Sequence, residues 1–164
     1  MPTHPLAILQ SLVLIGAANS APVFLRRLFG ECLAQPIDGG LVLRDGHPLL
    51  GHSKTWRGLA AAILLATFAA VLIGLPWQAG ALVGASAMAG DCLSSFTKRR
   101  LGLESSRMAL GLDQVPESLL PALSCSAYAP LGPLDFVVIV SVFFVGELAL
   151  SRLFFALGLR DRPY

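Results

Sequence analysis

Long apolar segments follow one another along most of the chain, and short polar stretches separate them. Five such segments can be delimited, at about residues 6–25, 58–77, 79–97, 115–133 and 134–157. A helix that crosses a bilayer needs about 20 predominantly apolar residues, which is close to the length of each segment. The pattern therefore predicts an all-α integral membrane protein with five transmembrane helices, organised as a single domain over residues 1–164. The two longest polar connections, at about 26–57 and 98–114, are predicted to be loops.

Composition narrows the class of protein. Only 13% of the residues are Asp, Glu, Lys or Arg, about half of the roughly 25% that soluble domains carry, and the mean hydropathy is +0.71. These values exclude an aqueous globular domain, a disordered chain and a fibrous repeat. The three cysteines are scattered, which argues against a disulfide framework and against a thiolate zinc site. A net charge of +2 gives no indication of nucleic-acid binding.

The basic residues predict the orientation in the membrane. All 12 Lys and Arg fall on the side that the chain reaches after an odd number of crossings. The positive-inside rule therefore places the N-terminus outside, and both loops and the C-terminus in the cytoplasm, in a multi-pass protein of the inner (cell) membrane. An alternative is that the first segment is a cleaved signal peptide. Signal peptides carry their positive charge before the apolar run, whereas here Arg26 and Arg27 follow it.

Polar residues inside the predicted spans are candidates for function, because they are costly in hydrocarbon. Asp91 precedes Lys98 by seven residues, which places it about 10 Å inside the cytoplasmic boundary of a helix. Asn19 precedes Arg26 by the same number of residues in the first span. On the third helix one face carries small residues followed by polar ones, namely Gly80, Gly84, Ala87, Asp91, Ser94, Ser95 and Lys98. Gly80 and Gly84 form a GxxxG element that predicts close helix packing, either within the bundle or between two chains of a homodimer.

Cations and carboxylates are grouped after the third span. Lys98, Arg99 and Arg100 are followed by Asp113 and Glu117. Viewed alone, the basic triplet is explained by topology or by contact with anionic lipid. Together with Asp91 the group is typical of a magnesium–nucleotide site, in which carboxylates hold Mg²⁺ and cations neutralise phosphate.

The first loop is rich in turn-forming residues. It contains Asp38-Gly39-Gly40 and the segment GHSKTWRG at 51–58, where glycines near Lys54 and Thr55 suggest a backbone cradle for phosphate. It is not a Walker A loop, because two residues intervene between Gly51 and the lysine. The structural alternative is a glycine-rich turn in which Lys54 and Arg57 anchor the chain at the membrane edge.

These motifs together resemble the CDP-archaeol synthase family, a compact relative of the CDP-diacylglycerol synthases. The resemblance runs from about residue 19 to 117, and its elements occur in the family's order. They are Asn19…Pro22, Asp38-Gly39-Gly40, Lys54-Thr55-Trp56-Arg57-Gly58, Gly90-Asp91…Ser95-Phe96…Lys98-Arg99-Arg100 and Leu112-Asp113-Gln114. The resemblance implies Mg²⁺-dependent transfer of a cytidylyl group from CTP to a membrane lipid phosphate, which yields a CDP-lipid and diphosphate. Where the family usually continues Asp-Gln-Leu-Asp, this chain has Pro116 and then Glu117.

The resemblance and the residue patterns together predict three sets of site residues. The predicted catalytic residues are Asp91, Asp113 and Lys98. The predicted nucleotide-binding residues are Asn19, Asp38, Lys54, Arg57, Ser95, Arg99 and Arg100. The predicted Mg²⁺ ligands are Asp91, Asp113 and Glu117.

Two other functions compete with this one. A non-catalytic relative would hold an anionic lipid headgroup or a partner helix without turnover. A small transporter is disfavoured, because the outer half of the spans offers no polar group for alternating access.

Overall fold

The computed structural model describes residues 3–103 and 109–156. Within those ranges the chain forms five helices: α1 (Pro5–Phe29), α2 (Trp56–Leu72), α3 (Trp77–Arg100), α4 (Gln114–Cys125) and α5 (Pro133–Ala156). In these ranges strand pairing is limited to two isolated bridges in the first loop. The prediction of an all-α protein is confirmed.

Local chemistry explains most of the helix boundaries. Pro5 and Pro133 stand in the first turns of α1 and α5, where the missing N–H costs nothing. Thr55 caps α2, since its hydroxyl accepts a hydrogen bond from the N–H of Gly58 at 3.1 Å. Gly74, with a φ of +77°, makes the tight turn between α2 and α3. Basic residues in the last turns of α1 and α3 complement the negative ends of the helix dipoles.

The fourth helix is shorter than predicted. The apolar segment at 115–133 predicts a full span, but α4 has only 12 residues and ends at Cys125. A helix of that length rises about 18 Å, well short of the roughly 30 Å of a hydrocarbon core. Pro130 and Pro133 lie just beyond it, and they lack the N–H that a continuing helix would need.

By length and apolar composition, two described helices are suited to cross a membrane, Pro5–Phe29 and Pro133–Leu153. A third apolar helix, Trp56–Leu72, is shorter. Five spans and their orientation therefore stay predictions.

The helices form a bundle around α3, which packs against α1, α2 and α4, while α5 packs against α1 and α4. At one end of the bundle, Asp135 ties α5 to the start of α1. Its carboxylate accepts the His4 backbone N–H at 3.2 Å and lies 2.9 Å from Nδ1 of the His4 ring. Since α1 and α5 begin together and α2–α3 and α4–α5 are joined by short turns, the opposite end gathers the C-termini of α1 and α3 and the N-termini of α2 and α4. We name this second end the basic end, because Arg26, Arg27, Arg57 and the triplet at 98–100 lie there.

The GxxxG element is used inside the bundle. A Cβ added at Gly80 would lie 2.3 Å from the carbonyl oxygen of Ala66, and one added at Gly84 would lie 2.8 Å from Cα of Ile63. The two glycines therefore allow the backbone of α3 to pack directly on α2. The alanines of the adjoining core between α1, α2 and α3 are fully or almost fully buried: Ala18, Ala21, Ala62, Ala66 and Ala87.

The outer surface of the bundle is apolar. Large side chains such as Phe24, Leu64, Phe68 and Val145 are each at least 60% exposed. Soluble monomers rarely present such continuous apolar surface to water. This apolar surface is compatible with contact with the lipid acyl chains of a bilayer.

Candidate active site

The first loop places Lys54 at the start of α2. At the base of the loop, the N–H of Ile37 donates to the carbonyl of Lys54 at 2.8 Å, and the N–H of Trp56 donates to Gln35 at 3.1 Å. These two hydrogen bonds fix the backbone on either side of Thr55, the cap of α2. The Lys54 side chain is thereby directed towards the middle of α3.

Asp38 holds the centre of this loop together. Its carboxylate accepts backbone N–H groups from Gly40 at 3.0 Å, Leu50 at 2.8 Å and Gly51 at 3.1 Å. Partial burial raises the pKa of Asp38, but these hydrogen bonds outweigh it and leave the pKa below its ordinary value. The structure thus gives Asp38, a predicted nucleotide-binding residue, a role in shaping the loop.

Lys54 forms an ion pair with Asp91 of α3. Both side chains are largely buried, with 16% and 20% of their surfaces exposed. They line a small pocket between α1, α2 and α3, together with Pro22, Thr55 and Cys92. Two predicted site residues that are 37 positions apart therefore meet at the basic end.

Glu117 joins Asp91 from the other side. One of its carboxyl oxygens accepts the Ser94 hydroxyl at 3.3 Å, and its side chain lies close enough to Asp91 for the two acidic groups to interact electrostatically. The close approach of α4 depends on Gly90, because a Cβ there would lie 2.3 Å from the carbonyl oxygen of Pro116. Glu147 of α5 interacts electrostatically with Glu117. Three helices thus bring carboxyl groups to one region of the bundle.

Lys98 and Asp113 form a second pair, two turns further along α3. Lys98 Nζ lies 2.7 Å from Asp113 Oδ1, and the two side chains are only 10% and 9% exposed. The other oxygen of Asp113 accepts the N–H of Ala109 at 3.0 Å. Because Asp113 is the residue just before α4, this pair fixes the start of α4 against the end of α3.

The remaining predicted residues make mainly backbone contacts. Asn19 donates to the carbonyl of Ile15 at 3.1 Å and to that of Glu117 at 3.5 Å, so it links α1 to α4. Ser95 is buried in α3. Arg57 donates to the carbonyls of Cys32 and Gly30 just after α1. Arg99 donates to the carbonyl of Leu103.

Arg100 lies at the end of α3 and is turned towards the first loop. Its guanidinium forms an ion pair with Asp45 and also donates to two backbone carbonyls of that loop. The side chains of Lys98 and Arg100, which are two residues apart on α3, therefore contact different parts of the protein: Lys98 contacts Asp113 and Arg100 contacts the first loop.

A sequence model of a known family matches almost the whole chain. Its description is "CarS-like: CDP-archaeol synthase", and it matches residues 6–79 and 76–164. This chain belongs to the CDP-archaeol synthase family. The family that the motifs resemble is thereby confirmed.

Individual members of the family align over most of their length. The CDP-archaeol synthase of Hyperthermus butylicus is 36% identical over 160 residues, which cover 91% of this chain and 92% of that protein. The CDP-archaeol synthase of Pyrococcus furiosus is 36% identical over 121 residues, which cover 68% of each chain. One solved structure, described as "Structural insight into an intramembrane enzyme for archaeal membrane lipids biosynthesis", superposes with a TM-score of 0.75. It is 31% identical and the match covers 87% of this chain and 90% of that one.

A magnesium ion in this site would have to be held by fewer than three protein carboxyl groups. Among the described residues no group of three or more His, Cys, Asp or Glu side chains has a geometry that could hold a metal. Asp91, which is paired with Lys54, lies near Glu117, whereas Asp113 is paired with Lys98 further along α3. In nucleotide sites Mg²⁺ takes one or two protein carboxylates and completes its shell with phosphate oxygens and water. Asp91 and Glu117 match that donor set.

Two features of the site were not predicted from the sequence. Cys92 lines the pocket beside Asp91. Its position next to that aspartate is the sequence feature that could have indicated its place in the site. Asp45 binds Arg100, but it stands in a loop 55 residues away. No local pattern in the sequence connects those two residues.

Proposed function

We propose that this chain is a membrane-embedded cytidylyltransferase, which transfers a cytidylyl group from CTP to a membrane lipid phosphate and releases diphosphate. The observation that carries the proposal is the cluster of two Lys–Asp pairs and Glu117 at the basic end. Such a cluster provides both carboxylates for a divalent cation and amines for phosphate. Membership of the CDP-archaeol synthase family supports the same reaction.

The names of the relatives support a more specific acceptor. Since they are CDP-archaeol synthases, we expect the product to be CDP-archaeol and the acceptor to be the corresponding lipid phosphate. The solved relative is described as an intramembrane enzyme, in agreement with the apolar outer surface of this bundle. The distribution of Lys and Arg supports an active site that faces the cytoplasm, where CTP and the lipid headgroup meet.

The reaction is an in-line displacement at the α-phosphorus of CTP. An oxygen of the lipid phosphate forms a bond to that phosphorus, and the bond to the oxygen that bridges the α- and β-phosphates breaks. The bond electrons leave with diphosphate. A phosphate monoester is largely ionised at neutral pH, so the nucleophile needs no general base from the protein.

The residues of the chain act by holding two polyanions together. Lys54, from the first loop, and Lys98 of α3 supply the ammonium groups. Lys54 pairs with Asp91, which precedes Lys98 on α3 by about 10 Å at the 1.5 Å rise per residue. Asp113 orients Lys98, and Asp91 orients Lys54. Asn19 and Ser94 fix Glu117 and the turn that carries it through hydrogen bonds. Bound Mg²⁺, held by Asp91 and Glu117, would neutralise charge on the phosphates.

Replacement of Asp91 tests the proposal. In purified protein, Asp91→Asn is expected to abolish formation of CDP-lipid from CTP and archaeol phosphate, because the variant loses the charge that holds both Lys54 and the divalent cation. Asp135→Asn is the matched control, since Asp135 is a fully buried carboxylate at the opposite end of the bundle. It is expected to lower stability and to leave the turnover of the folded fraction in place.

Turnover of Asp91→Asn near that of the wild type would overturn the assignment. A panel of archaeol phosphate, phosphatidic acid and polyprenyl phosphate, tested with radiolabelled CTP, identifies the acceptor.

One observation favours a second function. Pro116 stands where the family usually has its second aspartate, which is the change expected in a relative that binds without turnover. Wild-type protein that binds CTP with Mg²⁺ but forms no CDP-lipid from any acceptor in the panel would support this second function.

A further inference from the structure

The tip of the first loop is a small hairpin over residues 41–49. The N–H of Leu43 donates to the carbonyl of His47 at 3.0 Å, and the N–H of Leu49 donates to Leu41 at 2.8 Å. Gly46 makes the turn with a φ of +77°. Asp45 stabilises that turn, because its carboxylate accepts the N–H of His47 at 3.1 Å.

Arg100 holds this hairpin on the end of α3. Its guanidinium is ion-paired with Asp45 and donates to the carbonyls of His47 at 3.3 Å and Pro48 at 2.7 Å. The same guanidinium lies over the Phe96 ring, one turn earlier on α3, with 5.3 Å between its central carbon and the ring centroid. Arg100 therefore contacts the hairpin through three acceptors and also contacts Phe96 of α3.

A continuous series of contacts leads from the hairpin to Lys54. The hairpin is flanked by Gly40 on one side and by Leu50 and Gly51 on the other, and all three N–H groups bind the Asp38 carboxylate. Next to Asp38, the N–H of Ile37 binds the carbonyl of Lys54. A displacement of the hairpin is therefore transmitted to the backbone that carries Lys54.

We propose that Arg100 and Asp45 form a latch that docks the hairpin on α3 and thereby positions Lys54 against Asp91. Arg100 is then a positioning residue and not a phosphate ligand. The kinetic consequence rests on the proposed function, whereas the docking of the hairpin does not.

Replacement of Asp45 distinguishes the latch from a phosphate-binding role of Arg100. An exposed carboxylate does not bind phosphate, so a phosphate-binding Arg100 would lose nothing when Asp45 is replaced. A latch loses the ion pair whichever partner is removed, and removal of Arg100 also loses the two carbonyl contacts. Both replacements should therefore weaken docking, Arg100 more than Asp45, and their effects should be non-additive.

The test compares Arg100→Met, Asp45→Asn, the double variant and the conservative Asp45→Glu in full-length purified protein. Arg44→Met is the matched control, because it removes one positive charge from an exposed position in the same hairpin. Hydrogen exchange of the amides at 41–50, without nucleotide, reports docking. We expect about 10-fold faster exchange in Arg100→Met, a smaller increase in Asp45→Asn, and no increase in the double variant beyond that of Arg100→Met. Asp45→Glu and Arg44→Met should exchange like the wild type.

CTP binding in the presence of Mg²⁺ gives a second measurement. Both single variants should weaken it, Arg100→Met by a factor of about 5 to 10 and Asp45→Asn by less, with recovery in Asp45→Glu. Weaker CTP binding in Arg100→Met with unchanged binding and exchange in Asp45→Asn would overturn the latch, as would unchanged exchange in both. Faster exchange in both variants of a protein that forms no CDP-lipid would leave the latch in place and refute the proposed function.

Discussion

The contact between α3 and α4 at Gly90 gives the sharpest test of how the site is built. An alanine Cβ at this position would lie 2.3 Å from the carbonyl oxygen of Pro116, 2.7 Å from its carbonyl carbon and 3.1 Å from Cα of Glu117. All three atoms belong to the backbone of the first turn of α4, so no side-chain rotation relieves the clash. Gly90→Ala must push that turn away from α3.

The size of the effect follows from these distances. Since non-bonded contacts shorter than about 3 Å are essentially never tolerated, the first turn of α4 has to retreat by about 1 Å. Overpacking of this kind lowers the free energy of unfolding by about 1–3 kcal/mol, whereas alanine in place of glycine in a helix raises it by about 1 kcal/mol. The net loss of stability is therefore about 0–2 kcal/mol. Activity suffers more, because a shift of about 1 Å in a catalytic group costs about 100-fold in rate. Glu117 is carried on the displaced turn.

Two glycines serve as controls for Gly90→Ala. Gly80→Ala creates an equally short contact, 2.3 Å to the carbonyl of Ala66, but about 15 Å away along α3. Gly16→Ala meets nothing within 4 Å. CDP-lipid formation by the folded fraction of each variant, measured beside its thermal unfolding, should fall about 100-fold in Gly90→Ala alone. Activity of Gly90→Ala within about three-fold of Gly80→Ala would refute the role assigned to this contact.

Two further predictions concern carboxylates of the site and its loop. Glu117→Gln keeps the size of the side chain and removes its charge, so the Mg²⁺ concentration for half-maximal CTP binding should rise about 10-fold. Glu31 is an exposed acid of the first loop, and Glu31→Gln should leave that concentration unchanged. Equal Mg²⁺ dependence in both variants would exclude Glu117 as a ligand. Asp38→Asn should speed exchange of the Gly40, Leu50 and Gly51 amides, because charged acceptors bind N–H groups more strongly than neutral ones. The pKa of Asp38 is lowered in the folded protein. Its contribution to the stability of the loop is therefore complete above its unfolded pKa of about 3.9, and it is lost only as the pH falls through the lower pKa of the folded protein. Wild-type protection of these amides, corrected for intrinsic exchange, should therefore stay constant from pH 8 to pH 5, and a loss within that window would contradict this reasoning.

The sequence was informative wherever function follows from a single helix. Asp91, Ser94 and Lys98 recur at helical spacing, and the structure turns each of them to a partner within the bundle: Lys54, Glu117 and Asp113. The GxxxG element likewise indicated close packing, which the contacts of Gly80 and Gly84 with α2 confirm. A 3.6-residue period can be read from local sequence because the geometry of one helix fixes it.

The sequence was less informative where partners lie far apart along the chain. The contacts of Arg100 with the loop join residues more than 50 positions apart, and nothing in the local pattern specifies them. The fourth segment was misjudged for a different reason. Apolar composition continues past Cys125 to residue 133, but the prolines at 130 and 133 remove donors that a longer helix would need. Hydropathy measures affinity for hydrocarbon and does not count backbone hydrogen bonds.

The pairing of charges explains why the site suits a reaction between two polyanions. Charges are costly to bury in a bundle surrounded by hydrocarbon, so each buried lysine of the site is matched by an aspartate. The same lysines can neutralise phosphates fully only if another cation replaces them as the partner of the carboxylates with which they are paired. A divalent ion at Asp91 and Glu117 meets that need for Lys54, whereas Lys98 stays beside Asp113. Phosphate binding by Lys54 and metal binding by Asp91 and Glu117 should therefore strengthen each other.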